Sequence, residues 1–266
     1  MSSKDRIAKL RGLLSWQDEL SPFSPLIASV GRTNAGQLSP DAAVCFDANV
    51  YLNLGKGSRS TELIDYFGGR HMGPLLVPHQ VLLELWNNHL GSIEVFTSRL
   101  QKQVGELSKT IEEIDAGYST LREGARALVD QFHKEHGHIF SETTRTDLLA
   151  LLEMLNRKAI ASQVDRSIFS DLAVSRKRTK MPPGFKDEGD GDFFVWVELM
   201  NGLLIAVETE IQFDRVLFIT DGVKKDWSTN GSPHPFLVAE IQTLVGVPFQ
   251  VMSLKSLREA VKLALE

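Results

Sequence analysis

Three short apolar runs constrain this chain more than any other feature: Ala42 to Phe46, Leu75 to Val77, and Val216 to Thr220. Each is too short for a helix and lacks alternating polar positions, the pattern of strands buried on both faces of a sheet. Val247 to Met252 repeats the pattern near the carboxyl end. Helical periodicity follows the runs, so strand and helix alternate. That order predicts an α/β fold, a mostly parallel central sheet flanked by helices. Two of the runs end on an acid, Asp47 after the first and Asp221 after the third. Ligands of such sheets bind beyond the carboxyl ends of the strands, where both acids would lie.

The remaining chain divides by pattern. Residues 1–41 read as a lead-in: a short amphipathic helix on Ile7, Leu10, Leu13 and Leu14, then an irregular stretch over 20–41 rich in proline, glycine and serine. Glycine-rich GKGS at 55–58 precedes a short helix near 60–67. Pro78 suits the first position of a helix running to about Asn88. From Ile93, apolar residues recur at Phe96, Leu100, Val104, Leu107, Ile111 and Ile114, alternating steps of three and four, which predicts a long amphipathic helix. Further helices fit 119–136, 146–157 and 159–174. The block 91–174 therefore reads as a helical insertion dividing a sheet domain into 42–90 and 175–266. Its spacing offers a surface for self-association or for a protein partner. A loop over 179–191 leads to a helix over 193–207, and the tail adds helices near 235–245 and 254–263.

Composition narrows the function. The chain is 42% hydrophobic and 24% charged, ordinary for a globular protein. No apolar run approaches the roughly 20 residues that cross a bilayer. The start, MSSKDRIAKL, lacks the apolar stretch of a secretory leader, and the single cysteine, Cys45, has the apolar Phe46 beside it. A buried thiol in the cytoplasm is the expectation. A net charge of -5 argues against broad wrapping of nucleic acid, though local basic patches remain. Arg176, Lys177, Arg178, Lys180 and Lys186 form one, and Lys224 with Lys225 another. A solvated surface explains either patch unless acids with related chemistry lie beside it.

Such acids are present. Asp47 opens a D-A-N sequence with Asn49. Glu84 stands among Val81, Leu82, Leu83, Leu85 and Trp86, where an ionic group is costly to bury without a partner or a metal. Asp192 opens a helix and Asp221 precedes a glycine. Each has an ordinary explanation as a turn, cap or solvent-facing residue. Together they gather carboxylates at one edge, where repulsion calls for a cation and oxygen donors favour Mg²⁺ or Mn²⁺. Seven histidines and one cysteine show no compact zinc spacing. A bound divalent ion activates water and stabilises charge on phosphoryl oxygens.

FDANVYLNL, VPHQVLLELWNN, KMPPGFKDEGDGDFFVW and VLFITDGVKKDW resemble successive motifs of the PIN-like domains, in particular a bacterial subgroup with a long helical insertion. The resemblance spans roughly 42–90 and 176–252. It implies a metal-dependent nuclease that cleaves phosphodiester bonds, in RNA first and DNA second. By that resemblance Asp47, Glu84, Asp192 and Asp221 form the catalytic and metal-binding set, with Asp226 joining through a second ion or water. Asn49 and Thr220 are supporting polar groups, and Asp187 faces metal, substrate or only the loop. Lys186, Lys224, Lys225, Arg176 and Arg178 are expected on substrate phosphates, positioning a strand without reading bases. Trp196 shares helical spacing with Leu199 and suits the core, whereas Trp227 fits a stacking platform or the core equally. His79 and His89 suit structural or surface roles. Two rivals stand beside this reading. A dehalogenase-type phosphohydrolase needs a second aspartate where Asn49 stands, and a non-catalytic RNA-binding or complex-forming module would retain the fold without the chemistry.

Overall fold

In the computed structural model of the chain, the first apolar run becomes strand β1, Ala43–Phe46, with every residue buried. The structure describes residues 2–16, 19–31, 38–54, 61–113, 119–136, 143–222 and 225–266. Lys224 and the glycine-rich 55–58 stretch lie outside these residues, as does the side chain of His89. The second and third runs become β2, Leu75–Pro78, and β4, Val216–Ile219, again buried throughout. Ile160–Ser162 forms β3, and Phe249–Met252 forms β7. The five strands pair in the order β3-β2-β1-β4-β7, all parallel. The expected buried α/β sheet is therefore present.

Parallel pairing fixes the register at the edge that matters. Phe46 stands opposite Ile219, and Ile219 opposite Met252, so the residues after β1, β4 and β7 emerge together. Gly73 guards the approach to β2: a Cβ there would lie 2.1 Å from the Ala42 carbonyl oxygen, so only glycine permits the close passage. Helices cover both faces. α1 (Ser3–Leu14), α9 (Gly191–Glu208) and α10 (Pro235–Val245) pack together, with α9 on β2 and β3 and α10 on β7. α3 (Ala48–Leu54), α4 (Thr61–Asp65), α7 (Thr143–Lys158) and α11 (Leu254–Leu265) form a second group, with α7 on β2.

Several elements depart from the sequence expectations. The stretch 20–41 was expected to be irregular, yet Phe23–Gly31 forms helix α2, because its Phe, Leu, Ile, Ala and Val outweigh one proline in the first turn. The helix expected over 159–174 is instead the short strand β3 followed by α8, Arg166–Arg178. Pairing with β2 overrides the helical spacing there, and Asp165 caps α8 by accepting from the Ser167 N–H at 2.9 Å. The two helices expected on either side of residue 90 are one continuous helix, α5, His79–Glu112, which packs on α6 (Ser119–His136).

Pro78 is the last residue of β2 and the N-cap of α5, not its first residue. Its side chain has no acceptor to offer the helix. Glu198 of α9 supplies one, accepting from the Gln80 N–H at 2.7 Å. Burial raises the Glu198 carboxyl, while the Gln80 N–H, Arg166 and His79 pull it down. A small antiparallel hairpin, β5 (Ser228–Thr229) and β6 (Ser232–Pro233), was not foreseen. Its Asn230-Gly231 turn has both residues at positive φ, 52° and 80°, as a two-residue hairpin of this hand requires.

Candidate functional site

β1 ends at Phe46 and α3 begins at Ala48, so Asp47 is the one residue between them and its carboxylate sits where a strand hands over to a helix. Its Oδ1 accepts from the Ala48 N–H at 2.7 Å. Its Oδ2 accepts from Asn49 Nδ2 and, at 2.7 Å, from Thr220 Oγ1. Asn49 also donates to Thr220 Oγ1 at 3.0 Å and accepts from the Asp221 N–H at 3.1 Å. One amide thus couples the ends of β1 and β4. Asp221 itself is bridged: Asn53 donates to Oδ2 and the Leu254 N–H to Oδ1, both at 2.9 Å. Its carboxylate joins α3 to the start of α11.

Glu84 lies against the first turn of α9, at the residue before Asp192. Gly191 is so close to Glu84 that a Cβ on it would lie 2.6 Å from Glu84 Oε1 and 3.1 Å from Gln80 Nε2. Gln80 donates to Glu84 Oε1 at 2.8 Å. Asp192 lies in the first turn but is not the N-cap, a position held by Asp190. Trp227 donates its indole N–H to Asp192 Oδ2 at 3.0 Å. An acid in the first turn also gains from the positive end of the helix dipole.

Other expected site residues are placed differently. Asp226 is 1% exposed and accepts from the Gly184 N–H at 2.8 Å, so it fastens the 182–184 loop. Gly184 has φ +83°, and a Cβ on it would lie 2.9 Å from the Asp192 Cβ. Asp187 lies in the same loop, half-buried, its N–H donating to the Gly184 carbonyl at 3.2 Å. Lys186 is exposed over the Phe185 ring, and Lys225 and Arg178 are exposed as well. Lys177 spends its ammonium on the Glu188 and Gly189 carbonyls.

Arg176 corrects the expected phosphate patch. It is 4% exposed, paired with Glu240 Oε1 at 2.7 Å, and it donates to the Leu14 carbonyl at 3.2 Å and to the Pro182 carbonyl. Its neighbours in the sequence made it look like part of a surface strip, but one face of α8 turns inward. Both tryptophans are core residues. Trp196 is fully buried and donates to Glu240 Oε2 at 2.7 Å. Trp227 stacks on Phe218 with centroids 4.2 Å apart and is 3% exposed, too deep for a nucleobase to reach. His79 is half-buried. Cys45 is buried, as expected, and its thiol is pushed up by burial and by nearby Asp47.

Sequence reasoning missed three residues around the acids, Asn53, Arg258 and Gln80, and the bond that Trp227 makes to Asp192. Asn53 and Trp227 orient Asp221 and Asp192 through space, with no signature in local spacing. Arg258 on α11 has its guanidinium lowered by burial and opposed by Glu62 and Asp221, so a cation acts on the acid that follows β4. Gln80 stands four residues before Glu84 on one helix, a spacing that brings side chains together and could have been read.

Among the described residues, no three His, Cys, Asp or Glu side chains are grouped closely enough to enclose a metal ion. The donor set is nonetheless all oxygen, and its members are oriented by amide, hydroxyl and indole donors. That chemistry fits a hard cation that keeps part of its water shell and takes one or two carboxylates.

Comparisons with known proteins bear on this arrangement at one point. Searches among curated proteins and among solved structures return no match. The sequence profile described as "PIN like domain" matches residues 43–237, from the first residue of β1 into α10. That span carries Asp47, Glu84, Asp192, Asp221 and the side chains that orient them. The chain belongs to the PIN-like domain family, with its nuclease-type fold.

Proposed function

We propose that the protein is a divalent-metal-dependent nuclease that hydrolyses phosphodiester bonds, with RNA as its first substrate class. The observation that carries this reading is the Asp47 carboxylate, held by Asn49 and Thr220 at the carboxyl edge of the sheet beside Asp221. Asp47 would hold Mg²⁺ or Mn²⁺, with Glu84 and Asp192 as the second pair of oxygen donors. The ion, when bound, supplies Lewis acidity and a more acidic water. The chain's own groups do the positioning. Asn49 and Thr220 fix the Asp47 carboxylate, Trp227 fixes Asp192, and Gln80 fixes Glu84. Exposed Lys186 and Lys225 are suited to neighbouring phosphates, which position a strand without selecting its sequence.

A second reading, a nucleic-acid-binding module without hydrolysis, is favoured by one observation: among the described residues no three His, Cys, Asp or Glu side chains group closely enough to enclose a metal ion. One experiment separates the two. Structured and unstructured RNA and DNA are incubated with Mg²⁺ or Mn²⁺ and with wild-type protein, D47N or D221N. Cleavage by the wild type alone, with both variants folded, is the expected result. Full cleavage by both variants removes the assigned site, and retention of RNA without cleavage by the wild type supports the binding module.

A further inference from the structure

Gln80 has both ends of its amide committed. Arg166 of α8 donates from its guanidinium to Gln80 Oε1, and Gln80 Nε2 donates to Glu84 Oε1 at 2.8 Å. An amide can be flipped end for end unless its neighbours dictate the choice. Here a cation that can only donate faces the carbonyl, so the amino group must face the carboxylate. Arg166 is itself located by its guanidinium lying over the Phe194 ring, 4.5 Å from the centroid. The arrangement runs Arg166 to Gln80 to Glu84, and it crosses from α8 to α5.

A second observation points the same way. Gly191 leaves no room for a side chain against Glu84 Oε1 and Gln80 Nε2. The carboxylate therefore rests on the backbone of the first turn of α9, one residue from Asp192. The position is narrow, and the relay selects it from the alternatives that a long, flexible glutamate could adopt.

We propose that Gln80 and Arg166 are positioning residues that hold Glu84 ready for a divalent cation shared with this edge of the sheet. The proposal rests on the metal-dependent reading above. Gln80 makes its structural contribution separately, because its backbone N–H, not its side chain, donates to Glu198. Replacing the side chain consequently leaves the start of α5 capped.

The test is a Mn²⁺ titration of the full chain followed by calorimetry, with thermal melting as the check on folding. Q80L and R166M are each expected to weaken Mn²⁺ binding about tenfold, as loss of a group supporting a metal ligand does. Because Gln80 acts through Glu84, Q80L added to E84Q is expected to change affinity less than twofold. R166K, which keeps a donor cation, is expected to recover part of the loss seen in R166M. The relay is overturned when Q80L binds Mn²⁺ as the wild type does, or when Q80L and E84Q weaken binding independently. Wild-type protein that binds no Mn²⁺, or binds it equally well as D47N, overturns the metal reading and the relay with it. Binding lost in D47N but unchanged in Q80L overturns the relay alone.

Discussion

The amide of Asn49 donates to Asp47 and Thr220 and accepts from the Asp221 N–H, using both kinds of hydrogen-bonding atom at once. An aspartate there has no donor and would set a second carboxylate against Asp47. Asn49→Ala removes the coupling without adding charge. Activity is expected to fall ten- to a hundredfold, the usual cost of losing a group that orients a metal ligand. Circular dichroism and melting should remain close to wild type, so the loss should be read in steady-state cleavage. Asp47 and Asn49 were legible as a pair because they are neighbours in one short motif. The roles of Trp227 and Asn53 were not, because each reaches its acid across a large sequence separation. Asp226 illustrates the converse. It lies five residues after Asp221 in the same motif, yet its carboxylate closes a loop through the Gly184 N–H.

At the scale of elements, the buried ion pair of Arg176 and Glu240 joins α8 to α10, and the same guanidinium reaches the last residue of α1 and the 182–184 loop. Arg176→Met leaves Glu240 buried, still accepting from the Trp196 indole but without its cation. The expected loss is about 3–5 kcal/mol of stability, measured by urea unfolding. R176M/E240M should cost less, since no unpaired charge then remains. The four strands formed by short, largely apolar runs were readable from sequence because both faces of the sheet are covered. β3 was not, since three residues between two helices carry too little pattern to outweigh helical spacing. The β5–β6 hairpin was not read from sequence either, because its strands are two residues each and show no alternation.

At the scale of the whole molecule, no described helix is long and apolar enough to cross a membrane. Acid should weaken the fold through His71, which is 5% exposed and packs edge-on against Phe67 at 5.0 Å. Burial, with a smaller contribution from Lys158, lowers its imidazole from 6.5 to about 4. The folded state therefore holds His71 neutral while the unfolded state takes up a proton first. Its contribution is fully present above about pH 6.5 and is lost as pH falls towards 4. The shift corresponds to roughly 3 kcal/mol at 1.36 kcal/mol per unit. Urea unfolding between pH 7 and pH 4 should show this slope, and His71→Phe should flatten it.

The parallel pairing of β1 with β4 also governs how the molecule comes into being. Asp47 and the Thr220 hydroxyl that orients it are 173 residues apart in the chain. Contacts of such separation form late, after a large loop has closed. During synthesis the ribosome releases β1, β2 and the long helices well before β4 exists. A nascent chain or an amino-terminal fragment therefore carries Asp47 without its partner hydroxyl. On the proposed nuclease reading, cleavage waits until translation has delivered the carboxyl-terminal third.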